Sequence, residues 1–315
     1  MKAVGVTSFG GPEALQVVEL PEPHAGNGEV RIRVYAAAVN PTDTAFRAGL
    51  QATRLEGRPG PYIPGMDAAG VIDELGPGAD GRLKIGDRVV ALIVPSGPHG
   101  GAYAEQVVVP AASVVHAPAG VDFPAASTLL MNAMTARLAL DALALQPGQL
   151  LAVTGAAGAF GGYVIQLGKA DGLKVIADTA PSDEQLVRSL GADYVLERGD
   201  TFASLVRSMV PEGVPGLADG AVLNGRALPA IADGGGLAVI RGWEGPSERN
   251  ITIHRIMVMS AATNTAALEK LVRQVEDHTL TLRVADVLPA EQAPEAHRRF
   301  EAGGVRGRLV LEFRS

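Results

Sequence analysis

The spacing of hydrophobic positions divides the chain into two parts. Over about the first 120 residues, short apolar segments are separated by Pro-Gly and Gly-Asp turns, and the segment Val30-Arg31-Ile32-Arg33-Val34 alternates as a half-buried strand does. This part predicts an antiparallel, barrel-like domain. Further strands are predicted at Ala68 to Leu75, Arg88 to Val94 and Gln106 to Val109.

From about Pro124 the pattern changes to helices that alternate with short apolar runs. This alternation predicts a doubly wound parallel sheet, so the fold class is α/β. A final apolar run at 308–313 is expected to return to the first domain. The predicted domains are 1–123 with 285–315, and 124–284. Within the second, we predict helices at 125–145, 183–190, 201–209 and 226–232, and strands around Val175 and at Tyr194–Leu196, Ala221–Leu223 and Gly236–Ile240.

One segment carries the strongest chemical signal. The apolar run Leu150 to Val153 precedes a glycine-rich turn and then a helix with one apolar side. The pattern Ala156-x-Gly158-x-x-Gly161 is G-x-G-x-x-G with alanine first, in the strand–turn–helix context of a dinucleotide site. Its backbone N–H groups would bind a pyrophosphate at the helix N-terminus. The alternative is an ordinary tight turn. The predicted cofactor-binding residues here are Gly155, Ala156, Ala157, Gly158, Ala159, Phe160 and Gly161.

An acidic residue follows at the expected distance. Asp178 ends the next apolar run, about 20 residues after the turn, where a carboxylate binds the adenosine ribose hydroxyls of NAD. Such a carboxylate would repel the additional phosphate of NADP, and no arginine or lysine lies between Thr179 and Val187. The residue therefore favours NADH, unless it is only a loop or helix-cap acid.

Composition narrows the function classes. The chain has 315 residues, which favours two domains, and a net charge of −7 without long runs of one sign, which argues against nucleic-acid and anionic-membrane binding. Its longest apolar stretches are too short to span a bilayer, and the N-terminus lacks the apolar core of a signal peptide. Cysteine is absent, which excludes disulfides and thiolate metal sites. A cytoplasmic location is expected.

Several stretches together resemble the zinc-free quinone oxidoreductase branch of the medium-chain dehydrogenase/reductase superfamily. In chain order they are Ala38-Val-Asn40-Pro-Thr-Asp43, Ile63-Pro-Gly65-Met-Asp67-Ala-Ala-Gly70, Lys84-Ile-Gly86-Asp87-Arg88-Val89, Gly100-Gly-Ala-Tyr-Ala104-Glu105, Val153–Gly162, Leu190-Gly-Ala-Asp193 and Ala296-His through Gly307-Arg-Leu-Val-Leu311.

The resemblance implies a GroES-like barrel domain, a Rossmann domain, and a cleft between them for the nicotinamide. It also implies a homodimer formed through Rossmann edge strands, for which Ile251 to Met259 is the candidate. Most relatives use NADPH, so this expectation opposes the one drawn from Asp178.

A catalytic zinc is not expected. Zinc-dependent relatives carry cysteine where Asn40 stands and His-Glu where Met66-Asp67 stands. Asparagine and methionine are poor ligands for Zn²⁺, and Asp67 alone cannot hold the ion. No metal-binding residues are therefore predicted.

The resemblance also implies residues near the nicotinamide. Asn40 and Asp43 are candidates for the catalytic site, with a turn-forming role as the alternative. Asn132 and Thr135 match a segment that lies near the cofactor, with a helix cap as the alternative. Ile240, Gly242 and Trp243 follow a predicted strand at the edge of the sheet where ligands bind, although Trp243 could simply pack against its neighbours.

Other polar and aromatic residues have structural interpretations. A tyrosine that relatives often carry after the Asn-Pro-x-Asp motif is missing, because Thr44, Ala45 and Phe46 occupy that stretch. Tyr103 is expected to be a packed ring and Arg47 an ion-pair partner.

The function that these features favour is reduction of quinones or α,β-unsaturated carbonyls by a nicotinamide cofactor, independent of zinc. Two alternatives remain. One is an enoyl-thioester reductase of a biosynthetic pathway, and the other is a weakly catalytic dinucleotide-binding protein with a sensing or structural role.

Overall fold

The computed structural model describes residues 1–79 and 81–313, which form two compact units. The first unit comprises Met1–Met131, Met259–Asp277 and the chain from Thr281 onward; the second comprises Asn132–Val258 and His278–Leu280. The boundary between the two units thus lies between residues 131 and 132, whereas the sequence predicts it between residues 123 and 124. Residues 259–277 join the first unit because the buried side chains of the helix they contain, such as Leu268 and Leu271, pack on that unit.

The described residues form a strand-rich first part and a second part, from β8 onward, in which strands and helices largely alternate. The strands are β1 Lys2–Val6, β2 Leu15–Glu19, β3 Glu29–Ala38, β4 Asp67–Leu75, β5 Arg88–Leu92, β6 Gln106–Pro110, β7 Val114–His116, β8 Leu150–Thr154, β9 Lys174–Thr179, β10 Tyr194–Glu197, β11 Val214–Asp219, β12 Ile231–Val239, β13 Thr252–Arg255, β14 Val284–Pro289 and β15 Arg308–Glu312. The helices are α1 Pro41–Arg47, α2 Phe123–Ala126, α3 Leu130–Leu143, α4 Ala159–Ala170, α5 Glu184–Ser189, α6 Phe202–Met209, α7 Thr265–Glu276 and α8 Ala293–Glu301.

The first unit is built on a mainly antiparallel sheet with the order β14-β15-β3-β4-β5-β7, and β6 also pairs with β3. The strand β15 returns from the C-terminal end of the chain and pairs antiparallel with β3, as the apolar run at 308–313 predicted. The alternating residues of β3 explain its place at the centre of the sheet. Val30, Ile32 and Val34 are buried in the core of this unit, whereas Arg33 is exposed.

The second unit contains a six-stranded parallel sheet with the order β10-β9-β8-β11-β12-β13. Numbered within the unit, this is the order 3-2-1-4-5-6 of a Rossmann fold, so the predicted doubly wound sheet is confirmed. The order reverses between β8 and β11, and in such sheets ligands bind beyond the carboxyl ends of the strands at this point.

Two elements predicted for this unit, one strand and one helix, were wrong. The segment Ala221–Leu223 is a loop, and the strand lies earlier, at β11. The Asp219 carboxylate accepts hydrogen bonds from the backbone N–H groups of Leu223 and Asn224, which holds the loop in a turn. Residues 226–232 form no α-helix, because a 3₁₀ segment with Pro229 inside it ends at Ala230 and β12 begins at once.

Among the described residues, no helix is both long and apolar enough to cross a membrane.

Candidate cofactor and active site

The glycine-rich turn has the geometry that its sequence predicts. Gly155 follows β8 with φ +65°, a conformation that side chains disfavour, and an added Cβ would lie 2.7 Å from the carbonyl carbon of Gly220. At Gly161, in the first turn of α4, a Cβ would lie 2.4 Å from the Gly155 carbonyl oxygen. These two glycines therefore allow the tight turn and the close packing of α4 on it.

Gly158 has a different role. It is the N-cap of α4, and an added Cβ would lie 3.1 Å from the Gly155 carbonyl oxygen; the described residues place no other non-neighbouring heavy atom within 4 Å. The turn is thus open on the side where the first N–H groups of a 12-residue helix begin. Helix N-termini of this kind bind phosphate, so the residues present fit a dinucleotide pyrophosphate.

The remaining turn residues divide into two groups. Ala157, like Gly155 and Gly158, is half-buried and lies at the surface of the turn. Ala156, Ala159 and Phe160 are buried.

Asp178 lies beside this turn. It is the fifth residue of β9, is only 4% exposed, and accepts a hydrogen bond from the Ala156 N–H group at 3.1 Å. Burial raises the pKa of Asp178 to about 6, although the N–H groups of the turn favour its ionised form. The carboxylate is therefore held at the turn and does not cap α5, whose N-cap is Asp183.

A second acidic residue lies at the neighbouring strand end, and sequence reasoning missed it. Asp219, the last residue of β11, is buried and accepts a hydrogen bond from the Thr154 hydroxyl at 2.6 Å. The Thr154 oxygen in turn accepts one from the Ala221 N–H group. This pair joins the carboxyl ends of β8 and β11, where the strand order reverses. The sequence signal for this residue is the acidic end of the apolar run Leu217-Ala218-Asp219, whereas the predicted strand lies after it, at Ala221–Leu223.

The residues after β12 lie at the same edge of the sheet, since all six strands are parallel. Ile240 follows β12 directly and is half-buried, and Gly242 is exposed with φ +66°. The Trp243 ring packs against the core of this unit and lies over Gly225 and Gly245. Packing thus accounts for Trp243, as the alternative interpretation stated.

Asn132 and Thr135 lie on α3 in the second unit and are 3% and 7% exposed. Both are inside the helix, which begins at Leu130, so neither is an N-cap residue. At three residues apart they share one face of α3.

In the first unit, Asn40 and Asp43 are both fully buried at the start of α1. The Asp43 carboxylate accepts a hydrogen bond from the Asn40 N–H group at 2.8 Å, as in a capping box, and the Asn40 side-chain amide donates to Asp67 at 2.8 Å. The other Asp67 oxygen accepts from the Met131 N–H group. Burial raises the pKa of Asp43 to about 7 and that of Asp67 to about 6. These contacts favour the turn-forming interpretation of Asn40 and Asp43.

A buried chain of hydrogen bonds continues from Asp43. The Tyr103 hydroxyl lies 3.3 Å from Asp43 Oδ2 and 3.1 Å from His297 Nε2, and Arg47 Nη1 lies 3.3 Å from His297 Nδ1. Because Arg47 can only donate, His297 carries its proton on Nε2 and donates to Tyr103, which donates to Asp43. Arg47 also pairs with Glu301 at 2.6 Å. Tyr103 and Arg47 are therefore structural, as their sequence contexts predicted.

The donor set does not fit a catalytic zinc. Both oxygens of Asp67 accept hydrogen bonds from Asn40 and Met131, and Met66 is a buried side chain of the core. Across residues 1–79 and 81–313, no group of three or more acidic or histidine side chains is placed to hold a metal.

Comparison with known proteins places this chain in a family. Residues 26–119 match the model of the alcohol dehydrogenase GroES-like domain, and residues 169–311 match that of the zinc-binding dehydrogenases. A probable quinone oxidoreductase of Schizosaccharomyces pombe is 28% identical over 98% of this chain and 96% of its own. The chain belongs to the medium-chain dehydrogenase/reductase superfamily.

Solved structures of this superfamily agree in fold over the whole chain. A mycobacterial protein determined in complex with NADPH is 28% identical, with a TM-score of 0.88 over 99% of this chain and 100% of its own. An NAD-dependent alcohol dehydrogenase is 29% identical, with a TM-score of 0.86 over 100% of both chains. The predicted combination of a GroES-like domain with a Rossmann domain is therefore confirmed.

Proposed function

We propose that the protein is a nicotinamide-dependent oxidoreductase that reduces quinones or α,β-unsaturated carbonyl compounds, independent of zinc. The observation that carries the proposal is the open glycine turn with the Asp178 carboxylate bonded to its backbone, at the reversal point of a Rossmann sheet. The full-length similarity to quinone oxidoreductases supports the substrate class.

The residues of the second unit would hold the cofactor. The first N–H groups of α4, which follow the Gly158 N-cap, would bind the pyrophosphate, and Asp178 would accept hydrogen bonds from the adenosine ribose. Ile240 and Gly242, with Asn132 and Thr135, are proposed to border the nicotinamide. When bound, the reduced nicotinamide supplies a hydride.

Within residues 1–79 and 81–313 no set of side chains suits a catalytic zinc, and this favours a substrate that needs no Lewis acid. A Lewis acid polarises unactivated alcohols and carbonyls, and Asn40, Met66 and Asp67 cannot provide one. A quinone or enone is already activated for hydride addition, so such a substrate suits this chain. Tyr103 is fully buried and burial raises its pKa well above the usual value, so we propose that water, not this residue, supplies the proton.

Cofactor choice is proposed to favour NADH. With a pKa of about 6, Asp178 is mainly ionised at neutral pH and repels a phosphate on the ribose 2′ oxygen. The charge of Asp178 by itself, partly screened, is expected to weaken NADPH binding about tenfold to a hundredfold.

The test measures oxidation of NADH and of NADPH with a benzoquinone and with a simple enone as acceptors. Turnover of either acceptor with NADH, reduced at least tenfold in Gly158→Val, supports the proposal. Binding of both dinucleotides without turnover of any acceptor would contradict it.

Two further proposals concern assembly and location. The strand β13 lies at the edge of the parallel sheet, within the segment 251–259, and an unpaired edge strand is a site of association. We propose that β13 mediates a homodimer. Light scattering across a dilution series, which measures the molar mass, tests this proposal. A cytoplasmic location stays a prediction, which cell fractionation can test.

A further inference from the structure

The second unit places a cation beside Asp178 that lies 20 residues further along the chain. The strands β9 and β10 are parallel neighbours, and Leu196 is opposite Asp178 in their register. Arg198 follows β10 directly and continues the pairing, because its N–H group donates to the Thr179 carbonyl oxygen at 3.0 Å. The parallel register, not the local sequence, brings the two residues together.

The two side chains share one face of the sheet. Leu196 is level with Asp178, and residues two apart along a strand point to the same face. Arg198 is therefore a diagonal neighbour of Asp178 on that face, within reach of a long side chain. This is the face on which Asp178 meets the glycine turn. The charge of Arg198 also favours the ionised form of Asp178.

The different burial of Asp178 and Arg198 suits two groups of the cofactor, a ribose hydroxyl and a phosphate. Asp178 is buried against the turn, whereas Arg198 is exposed at the rim of the same edge. A phosphate on the ribose 2′ oxygen would extend outward from the hydroxyl that Asp178 binds. The guanidinium at the rim is the group that would meet it, since arginine binds phosphate through paired N–H donors.

We propose that Arg198 is a specificity-determining residue that binds the 2′-phosphate of NADPH and so lets the enzyme accept NADPH as well as NADH. The inference rests on the proposed function, since it requires the dinucleotide to lie on the glycine turn. Asp178 favours the free ribose, and Arg198 offsets its repulsion of the phosphate.

The experiment compares wild type with Arg198→Gln in equilibrium titrations of NADH and NADPH. Adenosine 2′,5′-bisphosphate and 5′-AMP are titrated in parallel, since they differ only in the 2′-phosphate and involve no nicotinamide. Lys174→Gln is the matched control, because Lys174 is an exposed cation at the opposite end of β9. Arg198→Lys tests whether charge alone suffices.

Arg198→Gln should weaken NADPH and the bisphosphate about tenfold to a hundredfold, as expected for losing one charge-assisted contact, and change NADH and 5′-AMP less than threefold. The Lys174→Gln control should bind all four ligands as wild type does, and Arg198→Lys should restore part of the affinity for NADPH.

Equal weakening of all four ligands, or no change in any, would overturn the assignment while leaving the cofactor site in place. Failure of the wild type to bind either dinucleotide would instead refute the proposed function, and this inference with it.

Discussion

The buried imidazole of His297 should make the first unit sensitive to acid. Burial, together with the nearby Arg47 guanidinium, lowers the pKa of His297 from 6.5 to about 3. Between these values the unfolded chain binds a proton at this residue and the folded chain does not. The stability that the neutral imidazole provides is therefore complete above pH 6.5 and is lost progressively as the pH falls toward 3.

His297→Gln removes this titration. The linkage slope approaches about 1.36 kcal/mol per pH unit for one proton, so wild type should lose about 2 kcal/mol relative to the variant between pH 6.5 and 4.5. The variant also loses or weakens the contacts with Tyr103 and Arg47, at a cost of about 1–3 kcal/mol that applies at every pH. Wild type should thus be more stable near neutrality, and its advantage should disappear near pH 4.5.

Thermal unfolding of both proteins, followed by circular dichroism at matched ionic strength from pH 4.5 to 7.5, measures this. For a unit of this size 1 kcal/mol corresponds to about 2–4 °C, so the difference in Tm should change by about 4–8 °C across the range. His24→Gln, at a solvent-exposed histidine, controls for the loss of an imidazole. A Tm difference that does not depend on pH would refute the argument that the fold keeps His297 neutral.

Three further predictions follow from the site and the sheet. Gly158→Val should weaken dinucleotide binding at least tenfold in a folded protein, as fluorescence titration measures; a folded variant with normal affinity would contradict the site. Gly161→Ala should instead lower the free energy of unfolding by about 1–3 kcal/mol, as thermal unfolding measures, because the added Cβ would lie 2.4 Å from a backbone oxygen. Strong chelators should leave turnover unchanged, and a full equivalent of bound zinc by elemental analysis would disprove zinc independence. Ile253→Lys on β13 should yield a monomer by light scattering, and a wild type already monomeric at about 10 µM would rule out a dimer of ordinary affinity.

Much of the fold could be predicted from local sequence patterns. The glycine turn was predictable because its requirements, a positive φ at Gly155 and close packing at Gly161, act within a few residues. Asp178 was predictable because it ends the apolar run Leu173 to Ala177 in the strand that follows α4. By contrast, β11 was placed too late, since Pro215 and Gly216 interrupt its apolar run and Ala221–Leu223 resembled a strand more closely.

What the sequence by itself determined is the fold class of each of the two units and the turn on which a dinucleotide would lie, because hydrophobic periodicity and turn chemistry are local. The tertiary structure alone decided which distant groups meet. Tyr103 and His297 are 194 residues apart in sequence yet form a hydrogen bond in the core. Arg198 lies beside Asp178 only through the register of two parallel strands. Such pairs depend on strand order and register, and one hydrophobic pattern is compatible with many registers until the whole sheet forms.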